Sequence, residues 1–197
     1  MIFLNIGTNS FISINGNLSS KNKNPIENNM SLKNSNSLNV PQDIHLRDVI
    51  KSDLPIFFKN QLDPEANFMV AFTTKNPNDK NVFKNHWEKI LSDNSVTIKT
   101  IIFSGKVVGH ISKFPQFGKT GIGYWIGKDY WGQGFATQAL TLFLISVNER
   151  PLYARVAKDN IGSKTVLEKC GFVITGEDKG YSNSRGKEVE EYILILK

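Results

Sequence analysis

The stretch from Gly123 to Leu144, GYWIGKDYWGQGFATQALTLFL, constrains this chain more than any other. Tyr124, Trp125 and Ile126 are bulky and β-prone, and they read as a buried strand. Gly132, Gln133 and Gly134 then break the chain into a tight loop. Ala136, Ala139, Leu140, Phe143 and Leu144 recur at helical spacing, which predicts an amphipathic helix. A helix that opens behind two glycines presents its first backbone N–H groups without intrahelical partners, and the absent side chains let a ligand come close. Such a start suits an anion, phosphate best of all. A tight turn with no ligand is the plain alternative for the same glycines. Neither nucleotide pattern completes, because no Gly-Lys-Ser/Thr follows and there is no Gly-x-Gly-x-x-Gly. A nucleoside triphosphatase and a dinucleotide dehydrogenase are both disfavoured.

A second informative block runs from Leu152 to Glu177, LYARVAKDNIGSKTVLEKCGFVITGE. Tyr153 to Val156 is strand-like. Asp159 or Asn160 caps a helix expected to run to about Cys170, Gly171 sits where a left-handed residue ends one, and Phe172 to Ile174 begins another strand.

Together the two blocks resemble the GNAT (GCN5-related) N-acetyltransferases. The first is similar to the family's motif A, Gln/Arg-x-x-Gly-x-Gly/Ala, at Trp131, Gly132, Gln133, Gly134, Phe135 and Ala136. Trp131 departs from the pattern, standing where Gln or Arg is usual. The Tyr-Trp-Gly-x-Gly-x-Ala-Thr wording resembles the branch of the ribosomal-protein N-terminal acetyltransferases. The second block is similar to motif B, with Asn160, Ser163, Leu167, Lys169, Gly171 and Phe172 in place. The resemblance covers roughly residues 44 to 196 and implies an α/β fold: one domain with a central mixed, mostly antiparallel sheet splayed in the middle and flanked by about four helices.

The resemblance also implies a chemistry. The co-substrate is acetyl-CoA, with no metal. Its pyrophosphate is expected on the backbone N–H groups of Gln133, Gly134, Phe135, Ala136 and Thr137. Its pantetheine arm is expected along the strand at Trp125, Ile126 and Gly127, with Asn160 on the far side. A simple helix cap is the plain alternative for Asn160. Many members use a motif B Tyr as general acid, but Leu167 occupies that position here. Ser163 matches a Ser of the resembled branch and is a candidate donor to the departing sulfur; an ordinary backbone-bonded helical Ser is the alternative. No Glu precedes the Tyr-Trp strand, so the general base is open. His110 and Tyr124 are candidates, each with plain packing as its alternative. Glu188, Glu190 and Glu191 offer a possible preference for a basic acceptor. Cys170 beside Gly171 reads as a structural thiol rather than a nucleophile. The expected activity is acetyl transfer to a primary amine on a small molecule, a peptide N-terminus or a Lys. A catalytically silent acetyl-CoA-binding sensor or interaction module of the same fold is the alternative.

Composition supports one globular domain and a limited set of partners. The 197 residues are 40% hydrophobic and 21% charged, ordinary values for a soluble domain. One cysteine excludes an internal disulfide, and His45, His86 and His110 lack metal-ligand spacing. The +6 net charge suits an anionic co-substrate, but its bases are dispersed, so nucleic acid is not an expected partner. No apolar run reaches the ~20 residues of a membrane span. Cytoplasmic placement as a monomer or homodimer is the expectation.

Residues 1–40 are rich in Asn and Ser and poor in aromatics, and read as a disordered leader. Glu27 is the only acid before Asp43, which leaves mitochondrial targeting as a minor alternative. The domain is expected over residues 41–197. Its order begins with a strand at Ile44 to Val49, a helix capped by Ser52 or Asp53, and a loop from Pro64 through Thr74. A second helix capped by Asn78 or Asp79 follows, then a hairpin over Val96 to Lys113 with Ser104-Gly105 at its turn. Gly118 to Gly121 is expected to turn into the Tyr124 strand. Val189 to Leu196 closes the chain as a strand.

Overall fold

A computed structural model describes residues 44–197; the expected leader lies outside the described residues. The chain order is β1 (Ile44–Asp48), α1 (Leu54–Gln61), α2 (Pro64–Val70), α3 (Lys80–Ser92), β2 (Thr97–Phe103), β3 (Lys106–Gln116), β4 (Lys119–Ile126), α4 (Phe135–Ser146), β5 (Leu152–Ala157), α5 (Ile161–Lys169), β6 (Val173–Ser182) and β7 (Lys187–Leu196). Short 3-10 turns at Lys51–Asp53 and Lys128–Tyr130 lead into α1 and the glycine loop.

The strands form one seven-stranded sheet in the order β1-β2-β3-β4-β5-β7-β6. Every neighbouring pair is antiparallel except β4 and β5. That parallel pair holds at only Thr120–Leu152 and Gly121–Tyr153, after which the two strands part. Beyond the parting, β4 stays registered on β3 through Ile126, and β5 stays registered on β7 through Ala157. The expected splay is therefore a real opening between two firmly held half-sheets.

Side-chain parity decides what each face carries. Ile122, Tyr124 and Ile126 alternate along β4 into the main core, with Ala139, Leu140 and Phe143 of α4, Leu167 of α5, and Leu152, Ala154 and Val156 of β5. Trp125 points the other way, onto Ala66 and Val70 of α2. His110, its cross-strand partner, meets Phe57 of α1 and Trp87 of α3 on that same face. β3 can lie close under β4 because Gly109 has no side chain: a Cβ there would sit 1.9 Å from the Trp125 carbonyl oxygen.

Three local outcomes differ from expectation. The segment after Pro64 is a helix and not a loop, since Asp63 caps it by accepting from the Ala66 N–H at 2.8 Å and Pro64 fits the first turn. It is a fifth helix beside the four expected. Asp53 does not cap α1 with its carboxylate. It is buried and takes a two-pronged bond from Arg47 at 2.6 and 2.7 Å, the Thr100 hydroxyl at 2.6 Å and the Ile50 N–H at 3.0 Å. Burial raises its pKa, but those donors outweigh the burial and hold it below the ordinary carboxylate value. Finally, the β3–β4 turn is tighter than expected. Phe117 and Gly118, at φ of 51° and 70°, make a two-residue hairpin, so β4 already begins at Lys119.

Candidate active site

The mouth of the β4–β5 opening is built from four pieces: the edge of β4, the glycine loop with α4, the start of α5, and the end of α2. The β4 edge follows from parity. The Gly127 N–H donates to Val108 at 2.8 Å, so Gly127 and Trp125 direct their backbone groups to β3. Tyr124 and Ile126 then face the opening. Of Trp125, Ile126 and Gly127, the structure thus turns the backbone of Ile126, joined by Tyr124, toward the parting.

Trp131 explains its own departure from the motif. Its indole Nε1 donates to the Ile126 carbonyl at 2.8 Å, and its ring packs on the Ala66–Val70–Trp125 cluster. A Gln or Arg there would not offer the same flat apolar cover. The loop itself is built on left-handed glycines, with Gly132 at φ 73° and Gly134 at φ 81°. Gly134 is the N-cap of α4 and supplies no side-chain acceptor. The starts of α2, α3 and α5 are capped instead by Asp63, Asp79 and Asn160 side chains. A Cβ on Gly132 would meet nothing within 4 Å. The first turn of α4, Phe135, Ala136 and Thr137, follows directly, while Gln133 is exposed beside it. An uncapped helix start with open space above it fits the pyrophosphate of acetyl-CoA.

Across the opening, Asn160 caps α5. Its Oδ1 accepts from the Ser163 N–H at 3.0 Å, and its Nδ2 donates to the Met69 carbonyl at 2.9 Å. Two bonds use half of an amide's capacity, so one N–H and one lone pair remain by count for the pantetheine amides. The cap and the cofactor role expected for Asn160 are compatible.

Ser163 and Tyr124 meet inside. Their hydroxyl oxygens are 2.7 Å apart, and the Tyr124 hydroxyl lies 3.3 Å from the Ser163 carbonyl. Burial pushes the Tyr124 phenol well above its ordinary pKa, only partly offset by the Ser163 bond. It stays protonated at neutral pH, a hydrogen-bond donor and not a base.

His110 is not brought to this pair. Strand parity places it on the opposite face, edge-on to Phe57 and Trp87 at 4.9 and 5.1 Å between ring centres. It lines a small cavity with Gln61, His86, Ser112 and Trp125. Burial, with a smaller contribution from His86, lowers its pKa from 6.5 to about 3, so it is neutral and weakly basic at pH 7. Cys170 ends α5 with its thiol 3.7 Å from the Thr137 carbonyl, and burial pushes that thiol up, away from nucleophilic character. Glu191 is buried on β7 and accepts from the Arg155 Nε at 3.0 Å. Glu188 and Glu190 are exposed and pair with Lys179 and Lys158. Among the described residues no group of three or more His, Cys, Asp or Glu gathers to hold a metal, and no helix is long and apolar enough to cross a membrane.

An opened parallel pair, with a glycine-led helix start at its mouth and a buried hydroxyl pair inside, is the layout of an acyl-thioester-binding domain. Comparison with known proteins agrees. The family model described as "Acetyltransferase (GNAT) domain" matches residues 43–173. The uncharacterized N-acetyltransferase p20 of Bacillus licheniformis is 29% identical over 83 residues, which are 40% of this chain and 47% of that protein. The chain thus spans about half the length of the curated relative it matches. Solved structures share the fold, among them the two that follow. Spermidine N-acetyltransferase from Vibrio cholerae, in complex with CoA and spermine, superposes with a TM-score of 0.65 at 18% identity, covering 78% of this chain and 95% of that one. The ribosomal L7/L12 alpha-N-protein acetyltransferase RimL, in complex with coenzyme A, gives 0.64 at 19% identity, covering 79% and 95%. The chain belongs to the GNAT acetyltransferase family. Acetyl-CoA is the co-substrate of that family.

Proposed function

We propose that this protein transfers the acetyl group of acetyl-CoA directly to a primary amine, on a small molecule, a peptide N-terminus or a Lys. The observation that carries this is the β4–β5 opening, with the Gly134 helix start at its mouth and the Tyr124–Ser163 hydroxyls within. Acetyl-CoA supplies the activated acetyl thioester. The N–H groups of Gln133 to Thr137 hold its pyrophosphate, Tyr124 and Ile126 offer backbone partners to the arm as an added strand would, and Asn160 fixes the arm from the other bank. The amine nitrogen forms the new C–N bond as the C–S bond breaks, and the ammonium proton passes to water. Ser163, with Tyr124 behind it, donates a hydrogen bond to the departing thiolate, where negative charge grows. A phenol raised above its ordinary pKa holds its proton more tightly than a thiol does, so this support is a hydrogen bond and not full proton transfer.

The ribosomal-protein branch is supported by the wording of motif A and by the RimL likeness, and it fixes no acceptor. One observation favours the catalytically silent alternative: the candidate base His110 faces away from the hydroxyl pair. Thiol release from acetyl-CoA across a panel of amines, including spermidine and N-terminal peptides, separates the two. Both require the co-substrate to bind. At a hundred times its Kd a ligand adds about 2.7 kcal/mol of stability, which for a domain of this size raises Tm by roughly 5–10 °C. Gly134→Glu places bulk and negative charge on the phosphate path and is expected to abolish the rise. Unchanged melting of the wild type at millimolar acetyl-CoA refutes both readings.

A further inference from the structure

The end of α2 runs into a strained turn that other parts of the chain hold. Ala71 is fully buried at φ 64° and ψ −56°, and the Phe72 N–H donates back to the Val70 carbonyl at 2.8 Å. This is a γ-turn with positive φ, a rare and strained conformation for a residue with a Cβ. Such strain persists only where the surroundings over-determine it, and it concentrates at working sites.

The surroundings here are unusually explicit. The β6–β7 turn captures the backbone carbonyls of the segment with its side chains. The hydroxyls of Ser182 and Ser184 both donate to Ala71, at 2.6 and 2.9 Å, and the Asn183 amide donates to Thr73 at 2.8 Å. Arg185 Nε donates to Phe68 at 2.8 Å, and its guanidinium lies over the Phe68 ring at 4.2 Å. The other prongs of the same guanidinium grip both oxygens of Asp159 at 2.6 and 3.0 Å. Asp159 immediately precedes Asn160, whose amide holds the Met69 carbonyl at 2.9 Å. Arg185 therefore ties three separate pieces: the α2 end, the β6–β7 turn and the start of α5. The segment also bridges the opening. Val70 rests on Trp125 of β4 on one bank, and Ala71 rests on Ala157 of β5 on the other.

We propose that Arg185 is a positioning residue that couples the co-substrate arm to the strained segment bridging the opening. Through Asp159 and Phe68 it makes the Phe68–Thr73 segment move as one body with Asn160. When acetyl-CoA fixes the Asn160 amide, the Met69 carbonyl and the strained turn are fixed with it, so the order of the segment that bridges the opening is set by co-substrate loading. This rests on the acetyl-CoA assignment above. Arg suits the task because its planar fork serves a carboxylate and a carbonyl at once while stacking on a ring, which the ammonium of Lys cannot do.

The test is amide hydrogen exchange on the full-length protein, with and without saturating acetyl-CoA. In the wild type, acetyl-CoA is expected to slow exchange at Ala71 and Phe72 about tenfold, within the usual range of coupling between sites, and to slow exchange at Gln133 to Gln138 as well. In Arg185→Gln the protection at Ala71 and Phe72 is expected to fall to about twofold or less, while that at Gln133 to Gln138 persists. A residue that only supported the fold would shift both conditions alike and leave the acetyl-CoA dependence in place. Asp159→Asn keeps the shape, removes the charge and carries the same expectation if Arg185→Gln does not fold. Equal acetyl-CoA protection of Ala71 and Phe72 in wild type and variant overturns the proposal. So does wild-type protection of Gln133 to Gln138 alone. Protection of neither region in the wild type overturns the acetyl-CoA assignment itself.

Discussion

The Tyr124–Ser163 contact yields the sharpest prediction. Two neutral hydroxyls 2.7 Å apart in a buried site form a hydrogen bond with a net worth of about 1–1.5 kcal/mol. Tyr124→Phe removes it with little change of shape. For a domain of this size that lowers Tm by roughly 3–5 °C. Ser163→Ala breaks the same contact but leaves the phenol its 3.3 Å approach to the Ser163 carbonyl, so its stability loss is expected to be the smaller. The catalytic effect is different in kind. If Ser163 meets the sulfur and Tyr124 orients Ser163, each substitution removes one interaction made chiefly in the transition state. That lowers kcat about ten- to a hundredfold, or about 1.4–2.8 kcal/mol, with the KM for acetyl-CoA nearly unchanged. Because both act through one contact, the double variant is expected to be no slower than the slower single one. The assay is steady-state thiol release with the acceptor that the amine panel identifies, run on all four proteins of the cycle. Losses that multiply in the double variant would refute the coupled pair. A wild-type rate in Ser163→Ala would show that the Ser is structural and that water alone serves the leaving thiolate.

Two further outcomes follow from the geometry. Trp131→Phe keeps the cover over Ala66 and Val70 but deletes the 2.8 Å bond to the Ile126 carbonyl; a stability loss of about 1 kcal/mol and a weaker acetyl-CoA Kd by calorimetry are expected, and an unchanged Kd would mean that this bond does not shape the loop. His110 titrates at about 3 when folded against 6.5 unfolded, so its contribution is complete above pH 6.5 and declines as pH falls, by up to about 2 kcal/mol between pH 6.5 and 5. Urea midpoints of His110→Phe are therefore expected to fall less between pH 7.5 and 5 than those of the wild type, and parallel slopes would contradict the buried neutral imidazole.

The features legible beforehand were those whose chemistry is local. The glycine loop, the Asn160 cap and the Gly171 stop each rest on a few adjacent residues, and each stands where expected, with Gly134 and Gly171 both left-handed. The splay followed from the family resemblance and is visible as the two-pair contact of β4 with β5. What stayed hidden depends on partners distant in sequence. Strand parity shows that His110 and Trp125 share a face, but β3 is buried on both faces, so its pattern does not say which of them meets the opening. α2 carried its Asp-Pro start openly, yet seven residues are too few to display a helical period. Arg185 sits in a Ser-Asn-Ser-Arg-Gly turn that looks like any hairpin end. Only the fold brings it to Phe68, more than a hundred positions earlier.

Asn160 shows why an amide, and no other short side chain, suits the junction. Its position needs an acceptor for the Ser163 N–H and a donor for the Met69 carbonyl at the same time. Asp would serve the first and repel the second; Ser has one donor hydrogen and a shorter reach. The helix-cap pattern registers only the first of these demands, because the second arises from α2, a helix 91 residues away in the chain. The same side chain thus begins α5, aims Ser163 at the Tyr124 hydroxyl and anchors the strained turn across the opening. A substitution here would disturb the cap, the hydroxyl pair and the strained turn together, so its effect on turnover cannot be assigned to co-substrate binding alone. Tyr124 touches the hydroxyl pair alone, and Arg185 reaches the turn and Asp159 without touching that pair, so the two together separate what Asn160 joins.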